Sequence, residues 1–99
     1  MNINININNV TVNIDAEQPV ETLADTLTKY AKAHIRYKRR GKIRDIYERR
    51  RNDAEDAVED LGMKILWEEI NDRPCDGLKT RCKVWTIRRM VAERMLEEL

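Results

Sequence analysis

Apolar and polar side chains alternate twice along INININNVTVNI, residues 3–14, and the two alternations are out of phase. On one continuous strand, Ile3, Ile5 and Ile7 would occupy one face and Val10, Val12 and Ile14 the other, because successive side chains point to opposite sides. Folding the chain at Asn8 and Asn9 removes the conflict. Ile7 then meets Val10, Ile5 meets Val12 and Ile3 meets Ile14, so that one face is apolar and the other polar. Two-residue loops favour positive φ at both central positions, which Asn tolerates better than any residue except Gly. The pattern predicts a β-hairpin over about 3–14. Because a lone two-stranded ribbon is marginal in water, its apolar face is expected to rest on a helix.

The period changes after residue 15. Asp15 and Gln18 read as a capping box, with Pro19 in the first turn, where its missing N–H does no harm. Val20, Leu23, Ala24, Leu27, Ala31, His34 and Ile35 recur at helical spacing, predicting a helix over about 16–40. A second stripe, Ile43, Ile46, Tyr47, Ala54, Ala57, Val58 and Leu61, predicts a helix over about 42–61. It is rotated by about 140° from the continuation of the first, so a break or kink is expected at Gly41. Gly62 reads as a helix stop. Beyond it, Met63, Ile65 and Trp67 alternate as in a strand, and the turn formers of 71–77 lead to the β-leaning segment 78–86. Together these offer a second hairpin, 63–70 against 78–86. Ile87, Met90, Val91, Arg94, Met95 and Leu99 predict a closing helix over about 87–99. The expected fold is a single α+β domain, residues 1–99: an N-terminal hairpin on a helix-rich body.

Composition adds constraint. The chain has 99 residues, 37% of them charged, and no Phe. That leaves a modest core and favours stabilisation by a partner or by oligomerisation. No apolar run approaches the roughly 18 residues of a membrane span, and the N-terminus lacks the layout of a signal peptide, so the chain reads as cytoplasmic. Without an export signal, Cys75 and Cys82 read as reduced thiols, and with one distant His34 they do not complete a zinc site.

The net charge of +1 conceals blocks. Residues 29–51 carry eleven bases and two acids, residues 52–72 eight acids and one base, and residues 73–89 six bases and one acid. A dense cationic run attracts a phosphate backbone because each neutralised phosphate releases condensed counterions, and Arg adds a planar, multi-donor head. The candidate nucleic-acid contacts are Arg36, Lys38, Arg39, Arg40, Lys42, Arg44, Arg49, Arg50 and Arg51, with Tyr30, Tyr37 and Tyr47 among them for stacking. Lys79, Arg81, Lys83, Arg88 and Arg89 form a second basic edge. The competing reading of the same blocks is charge pairing inside the fold or between subunits, or a merely solvated face.

Catalytic chemistry has little to work with. The one histidine sits beside an apolar stripe, and Gly-rich phosphate loops, nucleophile elbows and zinc-protease patterns are missing from the sequence. Asp53, Asp56 and Asp60 share a helical face, but an exposed face coordinates a cation poorly. The expectation is a non-enzymatic protein without cofactor or metal that binds DNA or RNA. The alternative is a protein-binding regulator or inhibitor of phage or mobile-element type, anchored on a host protein by Met63, Trp67, Trp85 and Met90. A structural homodimer with charge blocks paired between subunits is the third reading.

Overall fold

The computed structural model of the protein describes residues 2–7, 10–15, 17–33 and 40–99. Strands β1 (Asn2–Ile7) and β2 (Val10–Asp15) pair antiparallel, with Ile7 opposite Val10, Ile5 opposite Val12 and Ile3 opposite Ile14. This is the register implied by the phase change. The Asn8–Asn9 turn lies outside the described residues. β1 lies beside helix α1 (Val20–Ala33).

The fold class is nonetheless a helical bundle and not α+β with hairpins. Helices α1, α2 (Arg40–Ile70) and α3 (Asp76–Glu98) carry the architecture. All but one of the buried residues among those described belong to them, the exception being Cys75 in the α2–α3 turn. A ribbon of two short strands does not make a sheet layer around which a core can form. The expected second hairpin does not exist either. Residues 63–70 are the last two turns of α2, and residues 78–86 belong to the first three turns of α3. Gly62 is interior to α2, so the stop at 62 does not occur, whereas Gly41 is the second residue of α2 and the segment 34–39 that precedes this helix lies outside the described residues. The closing helix begins at Asp76, well before residue 87. α1 likewise opens later than the capping-box reading allows. Asp15 ends β2, and the Pro19 carbonyl accepts the first helical bond from the Leu23 N–H at 3.1 Å.

α3 is the central element, packing against both α1 and α2. Its buried stripe, Ile87, Val91, Ala92 and Met95, meets Leu23, Ala24, Leu27 and Ala31 of α1 and Tyr47 of α2. Thr28 joins them, its hydroxyl satisfied by donation to the Ala24 carbonyl at 2.6 Å. Along α2 the buried positions Tyr47, Ala54 and Leu61 recur every seven residues, interleaved with half-buried Arg51, Val58 and Ile65. That heptad spacing is the seam of an antiparallel helix pair. Two ion pairs tie α1 to α3: Lys32 Nζ to Glu98 Oε1 at 2.8 Å, and Arg94 to Asp25.

The turn between α2 and α3 is built from local backbone bonds. The Asp72 N–H donates to the Glu69 carbonyl and the Arg73 N–H to the Glu68 carbonyl, while Asn71 Nδ2 caps the Trp67 carbonyl at 2.8 Å. This is a Schellman closure, and Asp72 holds its left-handed position at φ 53°. It folds α3 back along α2. The molecule is elongated, 51 × 24 × 19 Å, close to the roughly 46 Å that a 31-residue helix spans. No helix among the described residues is long and apolar enough to cross a membrane.

Candidate nucleic-acid interface

The basic run falls on the first twelve residues of α2. Arg36, Lys38 and Arg39 lie outside the described residues. Arg40 opens the helix, and Lys42, Arg44, Arg49, Arg50 and Arg51 follow within the next three turns. They do not form one flat patch. Lys42 and Arg49, seven residues apart, share one side of the helix, and Arg44 and Arg51 share another, roughly 160° around the axis. Asp45 and Glu48 lie between these two sides, so the exposed circumference of the segment carries two cationic flanks with an acidic pair between them.

The helix carries this charge in the direction its own dipole disfavours. The first turn of α2 has no acid and the last turn no base, whereas backbone electrostatics favour the reverse arrangement. Basic side chains and the positive helix end thus reinforce one another. The acids that follow, from Asp53 to Asp60, lie further along the same helix. Arg44 and Asp56, for example, are separated by about 18 Å of axial rise. Arg44 does pair within the basic segment, with Glu48 at 3.4 Å, both half-exposed. Downstream, Asp60 pairs with Lys64 at 2.9 Å.

The second basic edge disperses. Lys79 bridges to Glu69 at 3.2 Å across the α2–α3 turn, Lys83 Nζ donates to the Gln18 carbonyl at 3.0 Å, and Arg89 reaches Glu93 at 3.9 Å. Arg81 is exposed. Only Arg88 joins the first group. It comes together with Arg50 in a cleft of about 260 Å³ between α2 and α3, lined by Tyr47, Arg50, Asp53, Trp85, Arg88, Val91 and Ala92. The helical spacings explain the convergence: Trp85, Arg88 and Ala92 fall on one side of α3, and Tyr47 and Arg50 one turn apart on α2.

Each guanidinium in the cleft lies on an aromatic ring of its own helix. Arg50 is 5.2 Å from the Tyr47 ring centroid, and Arg88 is 4.6 Å from that of Trp85. Arg88 is partly withdrawn from water, and its Nε is buried with no hydrogen-bond partner. Burial, and secondarily the charge of Arg50, hold its pKa below the ordinary arginine value. Among the described residues no carboxylate pairs with Arg88. An anion entering here meets two guanidinium groups, the Trp85 ring and the Asp53 carboxylate.

The proposed protein-binding quartet does not assemble. Trp85 lines the cleft and Met90 packs against the core. Met63 and Trp67 instead join Leu66 and Ile70 on the side of α2 turned away from α3, at 66, 61, 52 and 68% exposure respectively. The spacing i, i+3, i+4, i+7 marks an apolar helical stripe. Leu66 and Ile70 are the members that reading 63–70 as a strand leaves out. Cys75 and Cys82 are free thiols, and no group of acidic, His or Cys side chains among the described residues is arranged to hold a metal. No protein-family model, curated protein or solved structure matches the chain, and the case for a site rests on this geometry.

Proposed function

We propose that the protein is a non-enzymatic nucleic-acid-binding protein that contacts the phosphate backbone through the N-terminal half of α2. The observation that carries this reading is the axial segregation of charge on α2. Bases cluster where the helix dipole is already positive, and the main acid block begins only at Asp53, beyond the reach of Lys42 and Arg44 and one turn from Arg49 and Arg50. Such an arrangement costs the isolated helix stability and is offset when polyanions bind. Lys42, Arg44 and Arg49 are the exposed contacts, and Arg50 leads from them into the cleft.

The test is binding of labelled duplex and single-stranded DNA and RNA across a salt series. Phosphate contact predicts a steep fall of affinity with salt. Replacing Lys42, Arg44 and Arg49 together with Ala lowers the logarithmic slope by roughly two to three units. No binding at low salt would end the reading.

The exposed stripe Met63, Leu66, Trp67 and Ile70 favours a second reading, subunit contact with another copy of the chain, because contiguous apolar surface of this kind marks association sites. Light scattering distinguishes the two. A dimer dispersed by Trp67→Glu supports association through the stripe, and a monomer at high concentration removes it.

A further inference from the structure

We propose that two copies of the chain pair through the stripe Met63, Leu66, Trp67 and Ile70 with their α2 helices antiparallel, about a two-fold axis that passes beside Leu66 and Trp67. This geometry rests on the self-association reading and fixes its direction.

At 100° per residue the four side chains fall within about 50° of one line along α2, and Val58, Leu61 and Ile65 cluster roughly 150° away, on the α3 side. Six large apolar side chains are exposed among the described residues, and these four lie within eight positions of one another, so they form a patch and not scatter. The fold leaves this end short of cover. The main core joins α1, Tyr47 and the Ile87–Met95 stretch of α3, and the buried side chains nearest the stripe, Leu61 and Cys75, stand outside it. Together the four expose on the order of 500 Å², within the range of the largest patch on a monomer. Matched across a two-fold axis they bury about 1,000 Å², the level a specific interface has to reach, and Trp and Met are residues that interface cores favour.

Charge decides the direction. On the outer side of α2 the residues just before the stripe are acidic, Asp56, Glu59 and Asp60. Beyond its other end, the α2–α3 turn and the start of α3 carry Arg73 and Lys79, both with more than half of the side chain exposed. A parallel pair would set the acids against their own copies and lay the two basic segments, 42–51, side by side. An antiparallel pair turns the acids of each copy toward the other's Arg73 and Lys79. It also holds the basic segments roughly 50–75 Å apart at opposite ends of the assembly, far beyond the screening length of about 8–10 Å.

Light scattering of the full chain over a hundredfold range of concentration measures assembly, and circular dichroism confirms that each variant folds. The expected species is a dimer that Trp67→Glu disperses. Its direction is read by oxidising cysteine variants in a Cys75→Ala, Cys82→Ala background, at concentrations where the dimer forms. Met63→Cys and Ile70→Cys face one another across the axis only if the helices are antiparallel. The double variant should then form cross-linked dimers at least tenfold faster than either single variant, whose thiols stay about 10 Å apart along the helices, too far for a disulfide. Single variants that match the double one, whether all cross-link or none does, overturn the antiparallel axis and leave self-association through the stripe standing. A chain that stays monomeric at the highest concentration leaves the stripe to a different protein, and a dimer indifferent to Trp67→Glu places the contact elsewhere. Either result overturns the antiparallel pair and the self-association reading together.

Discussion

The guanidinium of Arg88 lies over the indole of Trp85, 4.6 Å from its centroid, in a cleft that it shares with a second cation, Arg50. The stack favours the charged side chain by about 0.5–1 kcal/mol. Partial burial, the unpartnered Nε and repulsion from Arg50 oppose it. A base whose pKa is lowered by the fold destabilises that fold at every pH below its folded value, which for an arginine covers the whole working range. Arg88→Met keeps the stem and removes the charge. It is expected to raise unfolding free energy by up to about 1 kcal/mol, the low end of what an unsatisfied polar group costs, because half the side chain remains wet. Denaturant melts check this. A loss of stability would mean that the stack on Trp85 is the stronger effect.

Asp72 occupies the left-handed position of the Schellman turn at φ 53°. Asp reaches that region more easily than most residues, but Gly does so without strain. Asp72→Gly should stabilise the protein by about 0.5–1 kcal/mol, and Asp72→Val should destabilise it by about 1–2 kcal/mol, since a β-branched side chain clashes there. Thermal unfolding of the pair gives the sign of each change.

The strand register was legible because a period of two leaves no latitude: one residue of slip exchanges the faces. The α1 stripe was legible for the same kind of reason, with Leu23, Ala24, Leu27 and Ala31 all buried. The segment 63–70 misleads because it is apolar on two sides. Ile65 faces α3 while Met63 and Trp67 face away, and together they imitate a strand. The segment 78–86 misleads through composition. Its Thr, Val and Trp favour strands only weakly, and packing along α2 decides for helix. The cleft was half legible: all of its lining residues except Ala92 were named, but Arg50, Trp85 and Arg88 stood in three separate groups. Only the antiparallel return of α3 brings them together.

Gly62 lies mid-helix, and a Cβ added to it meets nothing within 4 Å. Its φ is helical, so the residue contributes only unfolded-state entropy. Gly62→Ala should stabilise by about 0.5–1 kcal/mol. Chemical denaturation should show a higher midpoint with unchanged slope.

Lys79 donates to Glu69 across the α2–α3 turn, and that bond, aided by the charge of Cys75 when ionised, holds the ammonium above its ordinary value of 10.5. For a base with raised pKa, the stabilisation is complete below the unfolded value and disappears as pH climbs through the folded one. Wild type and Lys79→Met should therefore differ in melting temperature by a constant amount below the ordinary lysine value of 10.5 and converge as the pH rises past it. A difference that vanishes near neutrality would show that the pair is not formed.

Leu61 and Trp67 lie six residues apart on α2, one 4% and the other 61% exposed. Leu61→Ala removes buried contacts at the α2–α3 seam and should cost about 2–4 kcal/mol. Trp67→Gln, in a monomer, exchanges one solvated side chain for another and should change stability by less than about 0.5 kcal/mol. If a second copy covers the stripe, the same Trp67 change should instead lower the melting temperature in a manner that depends on protein concentration, because association stabilises by mass action. Melting both variants over a hundredfold range of concentration separates the cases. A concentration-independent, near-silent Trp67→Gln assigns the stripe no role in self-association.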